Sequence, residues 1–175
     1  MTCIDEGALK FYFDDAKWRV FKFDEHRDYQ KMKNMLEGTK AVDFLGIRNE
    51  NELYLIEVKD FRHHRIENRD RLSKGELAAE VAQKVRDSLS CIIGAYRNSE
   101  NPDHWEPYMK LLADMNKGVS VVVWLEHDLP DNYRLRRKAK FSTRTKVFKQ
   151  KLVWLTSRVL VCARTGKHLP DMEVT

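Results

Sequence analysis

The stretch that decides the fold runs Ala41-Val42-Asp43-Phe44-Leu45-Gly46-Ile47, then Arg48-Asn49-Glu50-Asn51-Glu52, then Leu53-Tyr54-Leu55-Ile56-Glu57-Val58-Lys59-Asp60. Two apolar runs rich in β-branched and aromatic residues flank a polar segment. This reads as a β-hairpin with strands at about residues 40–47 and 53–60. Side chains two apart share a face of a strand, so Leu53, Leu55, Glu57 and Lys59 point one way and Tyr54, Ile56 and Val58 the other. Apolar residues on both faces place this strand inside a sheet. A carboxylate and an ammonium at the end of such a strand are costly unless they have partners.

The partner follows from the register. A loop centred on Glu50 makes facing positions sum to 100, so Ile47 meets Leu53, Leu45 meets Leu55 and Asp43 meets Glu57. Every apolar residue then faces an apolar one, which supports that pairing over its neighbours. Facing side chains have Cβ atoms roughly 4.5–5.5 Å apart, so Asp43 and Glu57 would repel each other unless a cation lay between them. Magnesium suits the position, because it prefers oxygen ligands and takes only one or two protein carboxylates, leaving sites for water and phosphate. Lys59 would face the small Ala41, with room for a substrate. A metal that polarises a phosphoryl group and an ammonium that stabilises developing charge suffice for phosphodiester hydrolysis.

Asp43, followed by Glu57-Val58-Lys59 on the next strand, resembles the PD-(D/E)XK nuclease superfamily, the restriction-endonuclease-like fold. The resemblance covers about residues 40–125. It implies that Asp43, Glu57 and the backbone carbonyl of Val58 bind Mg2+ (Mn2+ as substitute), that Lys59 is catalytic, and that the chain cleaves nucleic acid. It also implies a helix flanking the sheet after the acid-x-Lys strand, then another buried strand. Two departures stand out. Val42 occupies the place of the proline in the family's name, and a strand precedes a short helix where the family opens with a helix bearing a Glu. Glu25 and Glu37 are the loose candidates for that acid.

The rest of the chain fits one α/β domain over residues 1–175, with a mixed central sheet flanked by helices. Residues 9–13 and 18–23 read as strands, with Asp14-Asp15 as a turn between them, and 27–37 as a short helix with Tyr29, Met32, Met35 and Leu36 on one side. The clearest helix covers 75–97, with Leu77, Val81, Val85, Leu89, Ile92 and Tyr96 on one face and Ser73 as its cap. A loop at 98–104, a helix at 105–115, a buried strand at 119–125, a basic helix near 132–150 and a final strand near 152–163 follow. Trp124 and Trp154, inside apolar runs, read as core.

Charge is unevenly spread. Between Asp131 and Lys167 twelve Lys and Arg stand against the single acid Asp131, which leaves 20 bases and 26 acids for the rest of the chain. Within that segment, Arg134, Arg136, Arg137, Lys138, Lys140, Arg144, Lys146, Lys149 and Lys151 have no acid among them. A surface helix with no acid forgoes every i,i+4 ion pair, so these bases read as contacts to nucleic-acid phosphates. DNA is the expected partner, although nothing in the segment separates DNA from RNA or reads a base sequence.

Other features are weaker. His63, beside His64, could assist proton transfer but reads more plainly as a solvated loop. On the helix after the acid-x-Lys strand, Glu80 and Lys84 can pair with each other, while Gln83 and Lys84 are accessory candidates for the site. Cys3, Cys91 and Cys162 support neither a disulfide framework nor a zinc site, which fits a reducing cytoplasm. No run is long enough for a membrane span, and a homodimer is compatible with the sequence. Two rival functions remain open: a nucleic-acid-binding protein of the same fold without activity, and a structural subunit gripping an acidic protein.

Overall fold

The computed structural model describes residues 1–62, 75–126 and 134–175, with only the backbone for 134–141. His63 and Ser73, and the side chains of Arg134, Arg136, Arg137, Lys138 and Lys140, therefore lie outside the described residues. The elements are β1 (Thr2–Glu6), β2 (Leu9–Phe13), β3 (Trp18–Lys22), α1 (Arg27–Met35), β4 (Phe44–Arg48), β5 (Glu52–Asp60), α2 (Glu76–Asn98), α3 (Pro102–Ala113), β6 (Gly118–Glu126), α4 (Arg134–Leu152), β7 (Val159–Cys162) and β8 (Met172–Val174).

The hairpin forms in the expected register. Strands β4 and β5 pair antiparallel from Arg48↔Glu52 to Phe44↔Ile56, each pair summing to 100. The left-handed backbone of Asn49 and Glu50 (φ 50° and 52°) makes the tight return. Asn takes that conformation readily and Glu does so at some cost. The ladder stops at Phe44, so residues 40–43 approach the sheet without joining it and Lys59 has no cross-strand partner in Ala41.

The central sheet has the order β3-β4-β5-β6-β7, antiparallel from β3 to β5 and parallel from β5 to β7. A parallel neighbour requires a crossover, and the segment containing α2 and α3 supplies it between β5 and β6. Strand β6 is buried on both faces, as the run from Val119 implies.

The chain is thus α/β with a mixed sheet, but the expectation of a single sheet between helices is corrected. Strands β1, β2 and β8 form a second, antiparallel sheet. One face of the central sheet packs against the helices through Leu45, Leu55, Val81, Val85 and Trp105. The other packs against the small sheet through Phe11, Phe13, Phe44, Tyr54 and Trp124. Phe11 meets Phe44 and Trp124 edge-on, with ring centroids 5.1 and 5.4 Å apart. The alternation in Leu9-Lys10-Phe11-Tyr12-Phe13, buried at the odd positions, is the period of a strand with one apolar face. Such a strand belongs to a sheet lying over another sheet. Gly46 leaves room for this packing: a Cβ there would lie 3.1 Å from the Trp18 ring.

Other boundaries moved. Helix α4 runs on to Leu152, and the expected strand 152–163 shrinks to Val159–Cys162 after a turn in which Leu155 N–H donates to Leu152 O at 2.9 Å. Helix α3 begins at Pro102, inside the loop expected at 98–104. In α2 the buried seam runs Leu77, Val81, Val85, Ser88, Ile92, Ala95. Its later steps alternate three and four residues, the 3.6-residue period of the helix, so Leu89 is half-buried and Tyr96 turns outward. Met35 and Leu36 are exposed at the end of α1. Trp154 is not core, because 55% of it is exposed.

Candidate active site

Asp43 sits one residue before β4 and is held from two sides. Its backbone carbonyl accepts from Phe23 N–H at 2.7 Å, and its Oδ2 accepts from Val58 N–H at 2.6 Å. Asp43 therefore bridges the end of the β3 edge, through its carbonyl, to the central strand, through its carboxylate. A residue's N–H and C=O point to the same edge of a strand, so the Val58 carbonyl faces the Asp43 side as well.

Glu57 lies on β5 and is fully buried. It shares the helical face of the sheet with Leu53 and Leu55, and there it meets α2. Lys84 Nζ is 2.7 Å from Glu57 Oε1 and 3.5 Å from Asp43 Oδ1. Lys59 Nζ is 2.9 Å from Glu57 Oε1 and 3.1 Å from Glu80 Oε1. Glu80 and Lys84, one turn apart on α2, thus each reach into the sheet and hold a partner from β5. Lys84 belongs to the centre of the group, and the ion pair expected between Glu80 and Lys84 is replaced by these contacts.

A second set of carboxylates reaches Asp43 from the N-terminal strands. One oxygen each from Glu6, Asp24 and Asp43 lies within 4.8 Å of the others, close enough to share a metal ion. Asp24 follows Phe23, whose N–H bonds Asp43, so the β3 edge delivers it beside β4. The loose candidate Glu25 is largely exposed instead, paired with Lys22 at 2.8 Å. Lys22 also contacts Glu6 at 3.1 Å. Glu37 is exposed at the end of the α1 region and stands outside this group. No signal in the sequence brings Glu6 or Asp24 forward, because their approach depends on the pairing of β3 with β4 across the intervening α1.

The electrostatics mark a strained group of like charges. Burial, with the charge of Asp43 beside it, pushes Glu57 up to about 7, against the pull of Lys84 and Lys59. Burial, then the charges of Asp43 and Glu6, pushes Asp24 up to about 6. Burial draws Lys59 down, but Glu57 and Glu80 together outweigh it and hold the ammonium above the ordinary lysine value. Glu57 Oε2 and Asp24 Oδ1 are buried with no hydrogen-bond partner among the described residues. Glu57 Oε1 also lacks hydrogen-bond geometry, yet with two ammonium nitrogens at 2.7 and 2.9 Å its charge is met by ion pairing. An all-oxygen donor set with orphaned buried oxygens fits a hard divalent cation.

Helix α4 packs against α2 and β7, anchored by the buried Phe148 and Leu152. Lys146, Lys149 and Lys151 are exposed on it, while Arg144 is half-buried and its pKa is drawn down by burial. Gln83 is exposed and turned away from the carboxylates, into a cleft with Lys151 and Trp154. A cavity of about 860 Å³ opens at the other end of the sheet beside Trp18, Ile47 and Asn49. Its lining includes none of Glu6, Asp24, Asp43 or Glu57, so the clustered carboxylates lie elsewhere. Among the described residues no helix is long and apolar enough to cross a membrane. No protein-family model matches this chain, and no curated protein or solved structure matches it either.

Proposed function

We propose that the chain is a metal-dependent nuclease, a hydrolase that cuts phosphodiester bonds in DNA, with an endonuclease as the favoured form. One observation carries the reading: Asp43, Glu57 and Lys59, expected from sequence to act together, converge with Glu80 and Lys84 of α2 at one end of the central sheet. The restriction-endonuclease-like resemblance points the same way, since the acid-x-Lys strand is followed by a flanking helix and a buried parallel strand. Asp43, Glu57 and the Val58 carbonyl would hold Mg2+, with Asp24 and Glu6 supplying further oxygens. When bound, the ion polarises the phosphoryl group and lowers the pKa of its water.

The chain's own residues do the rest. Lys59 stays protonated, because Glu57 and Glu80 hold its pKa up, so it acts as a donor toward phosphate charge and not as a general base. Glu80 fixes the direction of that ammonium. Lys84 neutralises Glu57 and Asp43 when the metal is absent and is free to turn to a phosphate when it is present. The exposed lysines of α4 supply backbone contacts.

Lys84 and Lys59 already compensate much of the carboxylate charge, and this observation favours the second reading, a DNA-binding protein of the same architecture without cleavage. Incubation of supercoiled plasmid with the wild-type chain and Mg2+ or Mn2+ decides between them. Nicking or linearisation that disappears in Asp43→Asn supports the nuclease. DNA binding with no metal-dependent cleavage overturns it.

A further inference from the structure

Trp18, Trp105 and Trp124 are buried in the core, whereas Trp154 is mostly exposed. It stands on the turn after α4, and that turn is fixed. Thr156 N–H donates to Leu152 O at 3.0 Å, and Thr156 Oγ1 donates to Val119 O at 2.8 Å. The indole is therefore presented outward by a rigid piece of backbone, and it makes no hydrogen bond with another described residue.

With Ala79, Ala82, Gln83, Arg86 and Lys151, Trp154 lines a cleft of about 430 Å³ between α2 and the end of α4. The two alanines give a flat apolar floor. No acid among the described residues lines the cleft, although Arg86 pairs with the neighbouring Asp87 at 2.8 Å. Lys146 and Lys149 continue the positive charge along α4. Gln83 ties the cleft to the candidate site, since the next residue on the helix is Lys84, turned about 100° around the axis onto Glu57.

An aromatic face framed by cations and held on rigid backbone fits a nucleobase with its phosphates. A second copy of the chain fits poorly. In a two-fold contact the same surface meets itself, and Lys151 and Arg86 would face their own like charges. Resting on the nuclease reading above, we propose that Trp154 is the stacking platform for one unpaired nucleotide, so that the substrate carries a single-stranded or extruded base beside the bond that is cut.

The test compares wild type, Trp154→Ala and Trp154→Phe for affinity toward a single-stranded oligonucleotide, a fully paired duplex and a duplex with one bulged nucleotide, with Ca2+ replacing Mg2+. Wild type is expected to favour the two unpaired substrates. In Trp154→Ala the ratio of unpaired to paired affinity should fall about 5- to 100-fold, the loss of one stacked base, and Trp154→Phe should keep most of it. Equal affinity of wild type for all three substrates, or an unchanged ratio in Trp154→Ala, overturns the stacking role while leaving the nuclease reading to its own plasmid assay. A concentration-dependent dimer that Trp154→Ala dissolves assigns the surface to a second copy and overturns it too. Absence of any DNA binding by wild type overturns both.

Discussion

Lys84 Nζ stands 2.7 Å from Glu57 Oε1, reaching from helix α2 to the buried end of the central strand, at the place between Glu57 and Asp43 where a divalent cation would be held. On the proposed function, lysine and metal would compete for one seat. Removing Lys84 should cost the metal-free protein about 3 kcal/mol, the lower end for breaking a buried pair because Lys59 still faces Glu57. For a chain of this size that is roughly 6–12 °C in Tm. Millimolar Mn2+ should recover much of the loss in Lys84→Ala by occupying the vacated position. Thermal unfolding of both proteins with and without Mn2+ checks this; a Tm gap that Mn2+ leaves unchanged would show that Lys84 and the metal do not share the seat.

Asp24 gives a pH-dependent expectation of definite sign. Burial, with Asp43 and Glu6 nearby, raises it from 3.8 to about 6, so the folded chain binds more protons than the unfolded one between those values. Its contribution to stability is complete below 3.8 and is lost as pH rises through about 6. Asp24→Asn cannot acquire the unfavourable charge. The metal-free variant should therefore melt above wild type at pH 8, with the gap closing toward pH 4.5, and should bind Mn2+ more weakly in calorimetry. A variant that melts below wild type at pH 8 would place Asp24 outside the strained group.

Much of this site was legible because strand pairing is arithmetic. Apolar residues at 44–47 and 53–56 allow one register that keeps both faces apolar, and that register points Asp43 toward Glu57, although the ladder itself ends at Phe44↔Ile56 and Asp43 meets β5 through the Val58 N–H. What escaped the sequence depends on contacts between distant elements. Asp24 reaches Asp43 only because β3 pairs with β4 across α1. Glu80 was expected to face Lys84 along the helix, but a buried carboxylate on the sheet is the stronger attraction for Lys84, and Lys59 for Glu80. The second sheet left a trace in the alternation of Leu9, Phe11 and Phe13. Trp154 misled because an apolar run after a basic helix resembles a strand, while the chain uses Val159–Cys162 for that purpose.

The basic segment should reveal itself through salt. If Lys146, Lys149 and Lys151 neutralise three phosphates, log K for duplex DNA falls against log[salt] with a slope that includes about 0.9 for each. Reversing all three to Glu should flatten the slope by at least about 2.7 and leave thermal stability nearly unchanged, since the three side chains are exposed. Fluorescence anisotropy at a series of salt concentrations measures it. Affinity indifferent to both salt and these substitutions would favour an acidic protein as the partner of this surface.

Lys59 offers the sharpest separation of catalysis from architecture. Its ammonium is 2.9 Å from Glu57 and 3.1 Å from Glu80, so it has a structural role in the metal-free state. Glu57 keeps Lys84 when Lys59 is gone, and Glu80 is part-exposed, so Lys59→Ala should lower Tm by only a few degrees. Cleavage is a different matter. Loss of a positioned donor that acts on transition-state charge typically costs about 10²–10³ in rate, whereas loss of one cation among many should change DNA affinity little. Because Glu57 and Glu80 hold Lys59 protonated, wild-type cleavage should fall, not rise, once pH is high enough to deprotonate it. Lys59→Arg, which keeps the charge, should fold normally and recover part of the activity. Thermal unfolding, DNA affinity with Ca2+ and cleavage with Mg2+ are to be measured on the same preparations. A rate loss of about 10²–10³ with near-native Tm and affinity assigns Lys59 to catalysis; if Tm collapses in step with activity, and Lys59→Arg restores both together, its work is to neutralise Glu57 and the catalytic assignment fails.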